Sequence, residues 1–479
     1  MKTSIFSIIL ITILFQACSQ SPESHARADP IKPYSANPHY WQYKGEPVLL
    51  LGGTKDDSLF QIPDLEEHLD LLASVGGNVI RNTMSDRKDH DFEIYPFKQL
   101  ESGKYDLRQW NEKYWERFER MLELTHERDI IVQIEVWDRF DYGDIRIPQN
   151  WIPNPWNPVN NINYTLEETG LDPSYPDHHP ARDRQPFFHS IPTMEKYDAR
   201  LDVVRSYQEA YVSKLLSYSL NYPNVLYCMN NETSTAPEWG QHWIAFINNA
   251  AAEKGVEVYC TDMFDDFHRG PESAKLPIVE NNPDIYNFVD VSQVNSRTFN
   301  EDHWDNVLWF NERLRPLNRP LNNTKIYSDG QTSWGSGTPV DGVERFWRNL
   351  IAGCASVRFH RPTAGIGLNA ISQACMKAAR LAESRIQFWD TEPHMELLSN
   401  RESDEAYLSA NPGEAYLLYF TDGGEVTLEL SQASGTFELQ WINVAAGDWY
   451  GEAIDLSGGA PQTLNAPGSG GWVATIVRE

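Results

Sequence analysis

Eight short runs rich in aliphatic and β-branched residues recur along the chain, at 47–53, 78–82, 129–138, 224–232, 256–262, 288–295, 324–330 and 356–362. Segments of helical periodicity lie between them. In the first, Leu65, Leu69, Leu72 and Val75 share a face and Gly76-Gly77 closes the pattern; in the second, Tyr114, Phe118, Met121 and Leu122 do the same. Apolar runs without polar alternation are strands buried on both faces, and a strand followed by a helix returns to the sheet as a parallel neighbour. Eight such units predict an α/β fold, a (β/α)8 TIM barrel, closed by a last helix over 370–389.

The pattern breaks in two places. From 139 to 196 the periodicity stops, and Pro, Trp, Asn, Asp and His accumulate, with Trp151, Trp156, His178, His179, Arg182 and Arg184 among them. A long irregular insertion in a compact domain is usually functional. Leaving the third strand, it is expected over the mouth of the barrel as a lid or subsite wall, although any single Trp is better assigned to the insertion's own small core. After about Ser399 the chain changes to short alternating strands separated by Gly-rich turns, which predicts a small antiparallel β-sandwich in a supporting role. The expected organisation is a signal peptide over 1–17, a tether over 18–36, the barrel over 37–398 with the insertion 139–196, and the sandwich over 399–479.

Lys2, an apolar run and Ala17-Cys18 at the start read as an export signal, and Ala17-Cys18 resembles a bacterial lipobox. Lipidation of Cys18 and a periplasmic or cell-surface location are therefore expected, with an ordinary secretory signal cut near Cys18 as the alternative. The apolar run is too short to span a bilayer, so membrane contact is expected only through the lipid anchor. With 68 acidic against 40 basic residues and a formal net charge of -28, the chain lacks the basic footprint that nucleic acid demands. Cys228 and Cys260 fall in expected buried strands, no cysteine spacing fits a zinc site, and no metal, cofactor or essential disulfide is expected.

In a parallel barrel the residues at the carboxyl ends of the strands line the catalytic face. Here they are Asp56 and Asp57, Arg81 and Asn82, Glu135, Trp137 and Asp138, Asn231 and Glu232, Asp262, Gln293 and Asn295, Asp329, and Arg358, His360 and Arg361. The fourth run is the most pointed, an apolar strand ending in two amides and the Glu232 carboxylate. Several acids among amides, guanidiniums and aromatics suit glycosidic bond cleavage: one carboxylic acid protonates the leaving oxygen, and a second carboxylate attacks the anomeric carbon or activates water. For each residue taken alone a structural role competes, such as a helix cap for Glu232, a turn before Gly330 for Asp329, or a strand-eight His satisfying a neighbour for His360.

Asn231-Glu232 at the end of strand four resembles the Asn-Glu element of clan A glycoside hydrolases. The whole chain resembles the apiosidase-like hydrolases of polysaccharide-degrading bacteria, whose barrel is followed by a sandwich usually labelled collagen-binding. Residues 414–420, Trp441-Ile442-Asn443 and residues 466–474 are similar to that sandwich. The resemblance implies that Glu232 is the general acid/base and that the nucleophile ends strand seven. Clan A places Glu there, whereas this chain offers Asp329, one methylene shorter, with Asp262 and Glu135 in reserve. The expected activity is hydrolysis of a plant or algal polysaccharide or oligosaccharide, an anionic or sulfated one if Arg358, His360 and Arg361, with Arg182 and Arg184, receive the anion. The rivals are a non-catalytic glycan-binding lipoprotein on a decayed barrel and a lyase, which would need a Tyr, His or Lys base.

Overall fold

The computed structural model describes residues 29–479 apart from 86, 89, 146–148, 180–181, 234 and 330–334. The expected signal peptide and Cys18 lie outside the described residues. Eight strands, β1 (Leu50–Gly53), β2 (Val79–Thr83), β3 (Ile131–Asp138), β4 (Val225–Asn231), β5 (Cys260–Thr261), β6 (Val289–Asp290), β7 (Leu321–Ile326) and β8 (Ser356–Phe359), form one parallel sheet in the order β5-β4-β3-β2-β1-β8-β7-β6. The edges of this sheet, β5 and β6, are consecutive in the chain. Asn287 N–H donates to the Cys260 carbonyl at 2.9 Å across their seam and brings the sheet round into a barrel. Gly52 is needed where β1 passes β2, because a Cβ there would lie 2.2 Å from the Val79 carbonyl oxygen.

Helices α1 (Leu65–Ser74), α2 (Glu112–Glu127), α3 (Asp202–Ser219), α4 (Pro237–Lys254), α5 (Leu276–Glu280), α6 (Asn300–Leu314), α7 (Pro339–Ile351) and α8 (Ala370–Glu383) follow the strands in turn. They cover the barrel with apolar faces, such as Tyr114, Trp115, Phe118, Met121 and Leu122 of α2. The start of α7 is set by Thr338 and Asp341, which cap each other's backbone, with Pro339 in the first turn.

Several strands differ in extent from the sequence expectation, each for a local reason. The first run splits at Leu49: Glu46–Val48 joins Trp41–Tyr43 and Lys32–Pro33 in a small antiparallel sheet that begins inside the stretch expected as a tether. The sixth run stops extending at Asp290, whose carboxylate accepts from Ser292 N at 2.9 Å and turns the chain into a 3-10 helix over Ser292–Asn295. The fifth pairs with β4 only at Cys260 and Thr261, and residues 256–259 before it stay partly or fully exposed. The seventh begins earlier than expected and takes in Asn322 and Asn323, two buried amides whose partners lie on opposite faces of the strand, Gln133 of β3 and Asn349 of α7. Asn322 accepts from the Trp41 indole at 2.8 Å and donates to Gln133 at 3.2 Å, and Asn323 donates to Asn349 at 2.8 Å.

The insertion after β3 has no separate core of its own: its aromatics join the barrel's, with Trp156 and Phe187 against Trp137 of β3 at 6.3 and 6.0 Å. Trp151, Trp156, Phe187 and Phe188 are fully buried, and the Asp144 carboxylate accepts from the backbone of Trp151 and Ile152 at 3.0 Å. At the other end of the chain, antiparallel sheets of six and three strands run from Glu392 to Arg478. They pack on the barrel through Tyr419, stacked on Trp347 of α7 at 5.6 Å, and through Asp404, paired with Arg348 at 2.7 Å.

Candidate active site

Residues at or beyond the carboxyl ends of all eight strands line one open cavity of about 230 Å³. Asp57 follows β1, Arg87 follows β2, Phe140 follows β3, Asn231 ends β4 and Glu232 follows it, and Asp265 and His268 lie beyond β5. Gln293, Ser296 and Arg297 come from the segment after β6, Lys325 and Tyr327 from β7 and its exit, and His360 and Arg361 from beyond β8. Of the insertion's tryptophans none reaches the wall; the insertion contributes Phe140 and His179.

Glu232 turns out of β4 with a φ of 53°, a left-handed conformation that costs a residue with a Cβ about 1–2 kcal/mol. Strong local bonds offset that cost. The Lys325 ammonium lies 2.8 Å from Glu232 Oε1, and the Tyr327 hydroxyl donates to the same oxygen at 2.7 Å. Lys325 and Tyr327 are two apart on the strand, so both side chains leave β7 on the side that faces β4. Lys325 also donates to Asn231 Oδ1, whose amide nitrogen donates to Asp138 at 3.1 Å, and Arg87 pairs with that same carboxylate at 2.6 Å. The result is a continuous polar chain from β2 to β7.

This chain decides protonation. Burial alone would raise the Glu232 carboxyl, but Lys325, through its charge and its hydrogen bond, and the Tyr327 hydroxyl bring it down to about 2. Glu232 is therefore held ionised. Asp265 N–H donates to the Thr233 carbonyl at 2.9 Å, which fixes this half-buried residue beside Glu232. Burial and the Glu232 charge both raise the Asp265 carboxyl. On the opposite wall burial opposes ionisation of Asp57, yet the guanidiniums of Arg361, Arg81 and Arg87 hold it well below the usual carboxylate range. Burial keeps the His360 imidazole neutral, and its Nδ1 is buried with no hydrogen-bond partner.

Of the residues expected at the mouth, Asp57, Asn231, Glu232, Gln293, His360 and Arg361 line the cavity. The others lie outside its wall. Arg81 is fully buried and paired with Asp57 and with both oxygens of Glu135, so Glu135, a reserve catalytic acid, serves as the counter-ion of Arg81. Asp262, the other reserve, accepts from Asn230 and is pushed up to about 6 by burial. Asp329 accepts from the Ser336 hydroxyl and is absent from the cavity wall. Trp137 packs into an aromatic cluster with Trp239 and Trp243, at 5.7 and 5.3 Å, and has no face for a sugar. Asp138 anchors Arg87, Asn82 accepts from Phe60 N at 3.0 Å, Asn295 donates to the Lys325 carbonyl at 2.8 Å, and Asp56 caps Ser58 N at 3.1 Å. Arg358 is wholly buried and donates to the Thr324 carbonyl and the Thr54 hydroxyl; Arg182 and Arg184 are exposed and away from the cavity wall.

Sequence reading missed Arg87, Asp265, His268, Arg297, Lys325 and Tyr327. Lys325 and Tyr327 carried a usable signal, since two polar-headed residues with period 2 at the end of an expected strand share its inner face. The others sit on loops or 3-10 turns with no periodicity to place them.

A (β/α)8 barrel with acids lining a cavity at its carboxyl-terminal mouth, followed by a β-sandwich, is the class that fold and site define. Residues 97–262 match the family model described as Domain of unknown function (DUF6298). No curated protein matches the chain. Among solved structures it is similar in fold to a glycoside hydrolase family 5 protein from Bacteroides vulgatus, at 12% identity and a TM-score of 0.62 over 95% of this chain and 94% of that one. A second structure, named glycoside hydrolase, is similar at 12% identity and a TM-score of 0.60 over 94% of this chain and 97% of the other.

Proposed function

We propose that the protein is a glycoside hydrolase that cleaves O-glycosidic bonds of a polysaccharide or oligosaccharide with Glu232 and Asp265 as its two carboxyl groups. The observation that carries this reading is the pair itself: neighbouring acids in one cavity whose surroundings push their proton affinities apart, which separates an acid from a base. Asp265, the member with raised affinity, gives its proton to the departing glycosidic oxygen as the bond to the anomeric carbon breaks. Glu232, ionised, attacks that carbon or takes a proton from the water that does. These roles differ from the expectation that Glu232 is the proton donor, because Lys325 and Tyr327 stabilise its charged form. The fold shared with proteins named glycoside hydrolases supports the reading, as does the resemblance to the apiosidase-like group. Export and lipidation at Cys18 complete the proposal and would place the enzyme where polymers are met.

The test is release of reducing ends from plant and algal polysaccharides by the purified chain, with product NMR, and its loss in Glu232→Gln. A second reading, a glycan-binding protein without turnover, is favoured by one observation: β7 presents the cation Lys325 where clan A enzymes present an acid. That reading gains the case if saccharides bind and neither form releases reducing ends. An unsaturated ring in the products would instead mark an elimination, with Tyr327 and the neutral His360, 5.0 Å apart between ring centres, as its proton-transfer groups.

A further inference from the structure

We propose that the cavity receives a sugar bearing an anionic substituent, a uronate carboxylate or a sulfate, and that Arg297 is the group that receives it. The inference rests on the reading of the cavity as a carbohydrate site and specifies its ligand.

The first ground is the charge of the wall. Lys325, Arg87, Arg297 and Arg361 stand on it with the carboxyl groups of Asp57, Glu232 and Asp265, so a chain with a formal net charge of -28 has gathered four fixed cations at one pocket. Most of these cations are committed within the protein. Lys325 serves Glu232 at 2.8 Å, Arg361 serves Asp57, and Arg87 serves Asp138 at 2.6 Å and Asp141 at 3.1 Å. Arg297 is different. Its guanidinium has no hydrogen bond or ion pair among the described residues, although it lies on the wall of the same cavity.

The second ground is backbone placement. Arg297 has a φ of 67°, which a side-chain-bearing residue adopts at a cost, and its N–H donates to the Gly335 carbonyl at 3.1 Å. Its side chain is exposed, so the guanidinium is open to a ligand that enters the cavity from solvent. A planar guanidinium presents two parallel N–H groups, which match the oxygens of a carboxylate or a sulfate. The arginines first suspected from the sequence do not fill this role: Arg358 is spent inside the barrel, and Arg182 and Arg184 are away from the cavity wall.

The experiment is calorimetric titration of the full chain carrying Glu232→Gln, which prevents turnover, with matched oligosaccharides. The probes are oligogalacturonates and glucuronoxylan fragments with their carboxyl-reduced forms, and carrageenan fragments with their desulfated forms. The expected result is that an acidic member binds tighter than its neutral match by about tenfold or more, the worth of one charge-assisted hydrogen-bonded pair. The advantage disappears when Arg297→Gln is added, while affinity for the neutral match is unchanged. Whether the carboxylate or the sulfate pair shows the preference identifies the substituent. Equal binding within every pair, or a preference that survives Arg297→Gln, overturns the proposal but leaves the carbohydrate site standing. Failure of every saccharide to bind removes the carbohydrate reading, and this inference with it.

Discussion

The Lys325 ammonium, itself only 1% exposed, lies 2.8 Å from Glu232 Oε1, joining β7 to the end of β4 across the cavity. A buried cation at that distance favours the ionised carboxylate, which under the proposed function suits Glu232 to be the base or nucleophile. In that proposal the proton for the leaving oxygen comes from elsewhere, and Asp265 is the neighbour whose carboxyl is raised.

If Asp265 supplies that proton, its loss matters only when the leaving group needs one. Glu232→Gln is expected to lower turnover by about 10²–10⁴-fold on every substrate, whereas Asp265→Asn does so on natural glycosides and has little effect on aryl glycosides with acidic phenols. Comparing kcat on the two substrate types checks this. Equal loss on both by Asp265→Asn would remove it from the donor role.

Replacing Lys325 by Met takes away the charge that depresses Glu232. Burial then acts unopposed by the ammonium, the carboxyl rises from about 2, and the acid limb of the kcat/KM profile moves to higher pH. Initial rates across the acid range give the shift directly; an unmoved limb means that Glu232 does not control it.

The same pairing makes stability pH-dependent. Because the Glu232 carboxyl is depressed on folding, its contribution is present above the ordinary value of 4.5 and is lost as pH falls towards about 2. Urea unfolding should therefore show the wild type more stable than Glu232→Gln near neutrality, with the gap closing over that window. A gap constant in pH would contradict the ion pair.

Trp137 reads from the sequence as a residue of the catalytic face and sits in the structure as core. Trp137→Ala should cost about 3–5 kcal/mol of stability through the cavity it leaves. Thermal unfolding measures the loss, and saccharide affinity of the folded variant should be unchanged.

Asp329→Asn is the corresponding control at the strand-seven position. Since Asp329 does not line the cavity, turnover is expected to stay within a few-fold of wild type, read on the same substrates as the Glu232 variants.

What could be read along the chain follows from local physics. Strands buried on both faces have to be apolar, and helices resting on them have to repeat near 3.6 residues, so the alternation that specifies a barrel is written residue by residue. Asn231-Glu232 was legible for the same reason, as a polar stop to an apolar run. The signal failed where burial and polarity part company. Asn322 and Asn323 belong to β7 but look like a loop until their partners Trp41, Gln133 and Asn349 are in place. The strand Asp448–Ser457 is largely exposed along its length, so it carries no alternation, and its pairing with Thr436–Asn443 defines it.

By itself, then, the amino-acid order determined the barrel, the appended sandwich and the position of one carboxylate. Tertiary structure alone decided that carboxylate's protonation and the identity of its partners, because the field at Glu232 is set by Lys325, 93 residues away, and by Tyr327 and Arg81, which other strands bring beside it. Periodicity reports which face of an element is buried. Coulomb energy depends on separations in space, which only the closed barrel fixes.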